Sequence, residues 1–497
     1  MNPEPGKPRS RLFRSGRALL FGVLLLATVL ALVWAFENWR GERQWQALVQ
    51  AYAAKGDPLD GSGILPPVIP PDQDAATTPL LRPLTEYTLV KGEPVWRDPA
   101  GVARLDAITL PIPTGEGRDG RGLTALSNWQ SAFRATNTFP LPATPGTPAV
   151  DVLSALGRWT AELNELEAAS RRPYARFVPA HTSEAIGVLL PQLSRAKAIS
   201  TLLRLRCAAR LMAGDPAGAL SDIEFNERWA HLVASDPLVI NQLVAIAIQT
   251  IGTGMAWEGL VEHRWNEDQL RQLQSLFAAR TPREDLLRAL KGERAYALSL
   301  WDQAVRNPNA DTREPAAVGT GVGIPRGLPR GWIRQNQISF VRLHELLSSP
   351  PFPWIVDPST PRHTEREVLQ QLAADRPWAY RKLAEMLLPA LYQTTAKADR
   401  LLVVSRLSEV ACALERYRLQ HHKYPETLEA LSPTFLTAVP KDPCTAKAFQ
   451  YRRTDPDHFV LYSLGPNGRD DGGTFNTDES KADWVWPQPS PDKKRLF

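Results

Sequence analysis

The groups best suited by type to acid–base work are Glu258 and Glu262, four residues apart on one predicted helix face and next to His263. A carboxylate pair beside an imidazole could hold and pass a proton. The same spacing also describes a solvated helix face. His344-Glu345 lacks the second histidine of a zinc-protease helix, because position 348 is serine. His421-His422 follow a predicted helix end and read as exposed or capping residues. There is no Gly-x-Ser-x-Gly elbow, and the glycine clusters at 115–122 and 319–323 lack the Gly-Lys-Ser/Thr ending of a phosphate loop. The richest set lies in Leu464–Ser480: Asn467, Asp470, Asp471, Asp478 and Glu479, with glycines at 465, 468, 472 and 473. These are oxygen donors on a chain able to turn tightly, and a solvated turn closed by Asx hydrogen bonds accounts for them.

The elements that would position these groups begin with a membrane signal. Residues 18–36 run without a charge, just long enough as a helix to cross a hydrocarbon layer of about 30 Å. Residues 1–17 carry Lys7, Arg9, Arg11, Arg14 and Arg17 against Glu4 alone, so the N-terminus is expected in the cytoplasm and the rest outside, in a single pass. A cleaved signal peptide fits less well, for want of a small-x-small cleavage site. The basic segment accounts for four of the five net positive charges, leaving the exported part near neutral. That argues against nucleic acid as a partner and leaves membrane lipid along 18–36, with other envelope proteins, as the expected contacts.

The 497 residues allow several domains, and 44 prolines exclude one continuous helical solenoid. Residues 37–74 read as a juxtamembrane helix (Trp39, Trp45, Leu48, Tyr52) and a Pro-rich linker, a stalk holding the body off the membrane. Residues 75–150 read as mixed strand and loop, with strands at Tyr87–Val90 and Leu105–Leu110. Residues 151–306 read as stacked helical hairpins. Asp215-Pro216, Asp236-Pro237 and Thr281-Pro282 mark helix starts, and Asn266 with Gln269 forms a capping box. Within them Leu238–Ile251 is apolar nearly all round, which predicts a buried core helix. Residues 307–389 are a Pro/Gly-rich connector with helices near 338–347 and 365–388, and Pro389 marks a boundary. A tail occupies 390–486, with 487–497 beyond it.

The tail starts with a helix to Leu419. Then come Tyr424-Pro425-x-x-Leu428, Asp442-Pro443, Phe449-Gln-Tyr451, and Phe459-Val-Leu-Tyr462-Ser-Leu-Gly465 before the acidic loop. In this order the residues resemble the soluble domain of the major pseudopilin of bacterial type II secretion systems. The whole chain resembles bacterial single-pass membrane proteins that carry such a tail. The resemblance implies a long helix packed on a small antiparallel sheet, and calcium in the loop: Leu464 through its carbonyl, Asn467 where the family has Asp, and Asp478, with Asp470 and Asp471 able to compensate. The pseudopilin Gly-Phe processing site and the Glu of its apolar helix are missing at Gly16-Arg17-Ala18, which argues against polymerisation and for a grafted module.

Three cysteines exclude a disulfide-built domain and a Cys-based zinc protein. Outside the cytoplasm Cys412 and Cys444 could pair, closing a loop of about 30 residues; Cys207 reads as a small core residue. The fold class expected is α+β and multidomain: a transmembrane helix, a helical-hairpin body, and a tail of one long helix with a small sheet. The expected function is non-enzymatic, a membrane-anchored scaffold of protein–protein contacts outside the cytoplasm. Two alternatives stand beside it: an exported hydrolase with its site between residues 75–150 and the helical body, and an accessory subunit docking on a pseudopilus.

Overall fold

The computed structural model describes residues 9–60, 69–90, 93–113, 122–136, 138–177, 190–306, 328–348, 365–473 and 483–486, with Ser62, Ile64, Gly115, Gly117 and Arg118 between them. It opens with a helix of 46 residues, α1 (Arg9–Ala54). Residues 19–36 of α1 are exposed on every side, an apolar run long enough to cross a membrane.

β1 (Tyr87–Val90) and β2 (Glu93–Trp96) form an antiparallel hairpin with Tyr87 opposite Trp96. The strand expected over 105–110 is instead the end of a helix. The Asp98 side chain accepts from the Gly101 N–H and Pro99 opens α2 (Pro99–Asp106), which buries Val102 and Leu105. α3 (Leu126–Ala135), α4 (Pro148–Leu156) and α5 (Thr160–Ser170) continue the helical pattern. Leu81, Val102, Phe133 and Val152 belong to one hydrophobic core with the helices that follow. Those are α6 (Gln192–Met212), α7 (Pro216–Val233), α8 (Val239–Val261) and α9 (Glu267–Ala278). Asp215 and Pro216 start α7 as their types require, and the Asn266–Gln269 capping box closes reciprocally at the start of α9. α8 is also long and apolar enough to cross a membrane, but 61% of its apolar window is buried in the protein, which makes it the centre of this core.

A second core gathers α10 (Pro282–Arg306), α11 (Arg330–Ser348), α12 (Glu365–Asp375) and the 40-residue α13 (Lys382–His421) around Trp301, Phe340, Leu343, Leu372 and Leu387. The upper part of α1 is built into it through Trp45 and Tyr52, as is Leu59 just beyond the helix. α1 and α11 run parallel. The Gly331 N–H donates to Asn38 Oδ1 at 2.8 Å, Arg334 Nε to Glu42 at 2.9 Å and Gln335 to Gln44 at 2.7 Å. At their crossing two glycines let the backbones touch; a Cβ on Gly41 would lie 2.6 Å from Gly331 Cα. The helix predicted after the anchor is therefore continuous with it and buried in the body before the prolines begin. Trp45, Tyr52 and Leu59 thus join the body ahead of the proline stretch expected to be a stalk, of which residues 65–68 lie outside the described residues.

Pro389 is not a boundary either. α13 passes through it, with Leu387, Leu388 and Leu391 buried on one side and Pro389 exposed on the other. The break lies earlier, at Arg376-Pro377, where one helix was expected over 365–388. Packing on both sides holds the helix where the missing donor of Pro389 would otherwise loosen it. The lower half of α13 lies in the second core, down to Leu401; the upper half, Val403 to Leu414, lies in the first. The remaining tail adds β3 (Gln450–Asp455), β4 (His458–Ser463) and β5 (Trp484–Val485), an antiparallel sheet in that order, with Tyr451 opposite Leu461 and Ser463 opposite Trp484. Its Leu428, Leu431, Phe449 and Leu461 fill the first core from the far side.

Candidate functional site at the seam of body and tail

α8 ends at Val261, and two residues later His263 takes a left-handed backbone, φ +49°. Trp265 forces this reversal to be tight: its indole N–H donates to the Ala256 carbonyl, and its ring rests where Gly259 has no side chain. The turn carries the imidazole across to α13, where His263 Nδ1 lies 2.8 Å from Glu415 Oε1. Glu415 is the hub. It also accepts from Arg418 Nε at 2.9 Å and from the Tyr424 hydroxyl at 2.8 Å. Burial alone would push its pKa up, but the hydrogen bonds from His263, Arg418 and Tyr424 outweigh it and hold the group at about 2. Tyr424 is shifted the other way, first by burial and then by the Glu415 charge.

Beside this cluster a cleft of about 90 Å³ opens between body and tail. Leu260, Val261, Ala411, Phe459 and Trp486 form its apolar wall; His263, Glu415, Asp457 and His458 form its polar side. It has room for about three waters or one small side chain. His458 Nδ1 is 2.9 Å from Asp455, whose pKa is lowered first by that contact. With every strong donor nearby already on Glu415, the carboxylate is a poor base. The arrangement suits recognition: an apolar slot with two oriented imidazoles at its rim.

The other residues singled out in the sequence are dispersed. Glu258 faces away from His263 and is buried against the first helices. It accepts from Thr124 Oγ1 at 2.8 Å and lies 3.6 Å from Arg118, and burial raises its pKa. Those contacts occupy the junction named for the hydrolase alternative. Glu262 closes α8, its N–H bonded to the Glu258 carbonyl. His344 is a core residue stacked edge-on against Phe340, its pKa lowered to about 3 by burial and the Arg294 charge. His421 packs on Tyr417, and His422 ends α13 in a left-handed conformation. Cys207, Cys412 and Cys444 are all buried thiols, and no disulfide joins Cys412 to Cys444 in this structure.

In the acidic loop, the Leu464 N–H donates to buried Asp442, Asn467 donates to Asp471, and the Tyr462 hydroxyl donates to Asp470. Asp478 and Glu479 lie outside the described residues. Among the described residues no three His, Cys, Asp or Glu side chains converge as a metal would require. Sequence reasoning missed Asp483. It is buried, its Oδ2 accepts from the N–H groups of Asp471 and Gly473, and its Oδ1 has no hydrogen-bond partner among the described residues. A lone carboxylate set among Ala482, Trp484 and Trp486 was the available signal. Burial raises its pKa, and the charges of Asp471 and Asp470 add to the effect.

No family model matches the chain, and no solved structure does. The chain is similar to the type II secretion system core protein G of Pectobacterium carotovorum subsp. carotovorum, 29% identical over 121 residues, 20% of this chain and 76% of that protein. The chain has a pseudopilin-like region.

Proposed function

We propose that the pseudopilin-like region is the tail, and that the chain is a membrane-anchored scaffold which presents this tail to other envelope proteins of a secretion apparatus. The observation that carries the reading is α13, one helix whose lower half shares a core with α11 and the upper part of α1, and whose upper half is the tail's own spine. A tail built in this way is a fixed docking platform rather than a polymerising subunit. The basic residues ahead of residue 18 favour a cytoplasmic N-terminus and a periplasmic body at the inner membrane. The seam cleft is the docking point, taking one small apolar or aromatic side chain with an acceptor that reaches His263 or His458.

A photo-crosslinking residue in place of His458, in the full chain in cells, should give an adduct with an envelope secretion protein. Val261→Arg, which fills the cleft, should abolish it. An adduct with a pseudopilin would make this chain an accessory subunit of the pseudopilus. No adduct from position 458, with secretion normal in cells lacking the chain, would contradict the proposal.

The loop is proposed as a structural calcium site. Asp483 Oδ1, buried and without a partner among the described residues, is added to the donors read from the sequence, Asp470, Asp471, Asn467, Asp478 and the Leu464 carbonyl; the described carboxylates do not converge, so the ion would draw them together. The ion would tie the loop to β5. Calcium at about 100 times its dissociation constant should add about 2.7 kcal/mol to the stability of the full chain, relative to chelator. Asp483→Asn should remove that gain, and a melting temperature indifferent to calcium would exclude the site.

A further inference from the structure

We infer that the tip joining α12 to α13 is a second membrane contact, with Trp378 and Lys382 lying in the lipid headgroup layer beside the point where α1 leaves the bilayer. The inference rests on reading residues 19–36 as membrane-spanning. α11 starts at the same level, because Gly331 packs against Glu37 and Asn38 and the two helices then run upward in parallel.

α12 descends along α11 towards that level. Asp375 meets Arg342 at 3.0 Å, Arg376 meets Ser339 at 3.1 Å, and the Ala379 carbonyl reaches Asn336. Tyr380 is lower still, its hydroxyl accepting from Arg40 Nη2 at 2.8 Å. α13 then climbs back, with the Leu383 N–H donating to Asn336 at 3.3 Å. The tip at 377–382 is thus the lowest point of this hairpin.

The depth follows from helix geometry. Arg40 is four residues beyond Phe36, about 6 Å along the axis at 1.5 Å per residue. The headgroup layer is about 5–7 Å deep on each side of the hydrocarbon. A tip hydrogen-bonded to Arg40 is inside that layer. Its chemistry suits the place: Trp378 is 64% exposed, with Lys382 Nζ 5.7 Å from its ring centre. On α1 at the same depth, Trp39 is 58% exposed, with the Arg43 guanidinium 5.5 Å from its ring. Two tryptophan–cation pairs therefore face the same layer from different elements. Tryptophan favours that interface, and the cations answer anionic headgroups. The partner assigned to this surface is an anionic lipid bilayer.

The test uses the full chain in vesicles of phosphatidylcholine and phosphatidylglycerol, with a nitroxide on one introduced cysteine at a time. The native cysteines are buried. Pro377→Cys, which leaves Trp378 in place, is compared with Leu25→Cys in the span and Met212→Cys, an exposed site on the body. The ratio of collisions with oxygen to collisions with a water-soluble nickel chelate should be highest at 25 and lowest at 212. At 377 it should be severalfold above the value at 212, and Trp378→Ser should lower it. A label at 377 that matches 212 while 25 is deep would overturn the contact and leave the anchor standing. An aqueous label at 25 would overturn the anchor and the contact together.

Discussion

The two halves of α13 do different work with the same geometry. The lower half, Leu383 to Leu401, packs by shape against α11, which in turn meets α1 at a glycine crossing. The upper half, Val403 to Leu414, is fastened by polar contacts as well as by its core. Arg416 bonds Glu267 Oε1 at 2.8 Å, Gln274 Oε1 at 2.8 Å and the Phe435 carbonyl at 2.9 Å, Arg406 bonds the Ala278 carbonyl at 2.8 Å, and Glu415 holds His263. A tail joined only by a linker would need none of these. The difference shows how each attachment is made: the helix above the anchor is joined by a close glycine crossing with hydrogen bonds along it, and the tail by a shared apolar core ringed by arginine and glutamate contacts.

The largest effects should come from cutting the spine on either side. Leu407→Ala in the upper half and Leu387→Ala in the lower half each remove a buried side chain and should cost about 2–5 kcal/mol. Both should lower one shared unfolding transition by calorimetry. If Leu407→Ala melts the tail alone, the two halves are separate units.

A pair of buried glutamates sharpens the contrast through pH. Glu293 on α10 accepts a 3.3 Å bond from the Val239 N–H, and burial raises it to about 7 from an ordinary 4.5. The folded state therefore holds the extra proton between those values. Its contribution to stability is present below 4.5 and lost as pH rises through 7, on the order of 3 kcal/mol. Glu293→Gln should flatten that decline in denaturant titrations. Glu415, held at about 2 against 4.5, has the opposite sign: its contribution is present above 4.5 and is lost as pH falls through about 2. Glu415→Gln should remove that acid-side dependence, and a variant that keeps it would show that another carboxylate carries the effect.

Much of this was legible in the sequence where the cause is local. Asp215-Pro216 and Asn266 with Gln269 start helices because a side-chain oxygen meets an orphan N–H within three residues, a relation that needs no tertiary context. The apolar girth of α8 likewise marked it as a core helix. The misreadings have distant causes. Pro389 stays helical because Leu387, Leu388 and Leu391 are buried around it, and Leu105 joins a helix because Asp98 caps one. The partner of His263 is 152 residues away, so the sequence set it beside Glu258 and Glu262, which face elsewhere. Gly41 and Gly331 carry no sign of one another until the helices cross.

Smaller effects refine the two attachments. Gly331→Ala places a Cβ into the α1 backbone and should cost about 1–3 kcal/mol, loosening the anchor while leaving the seam intact. Limited proteolysis just after residue 54 should then speed up. Asn266→Ala removes the cap of α9, the body helix under the upper half of α13, and should cost about 1 kcal/mol. Hydrogen exchange should rise in the first turn of α9 and stay unchanged around α11.

Through α13, tail and anchor should move as one rigid unit. Spin labels at Arg43→Cys, beside the anchor, and Asp457→Cys, on the tail sheet, report it directly by pulsed dipolar spectroscopy on the full chain in lipid. A single narrow distance distribution is the result this account predicts. A broad distribution, with the tail swinging relative to the anchor, would contradict it.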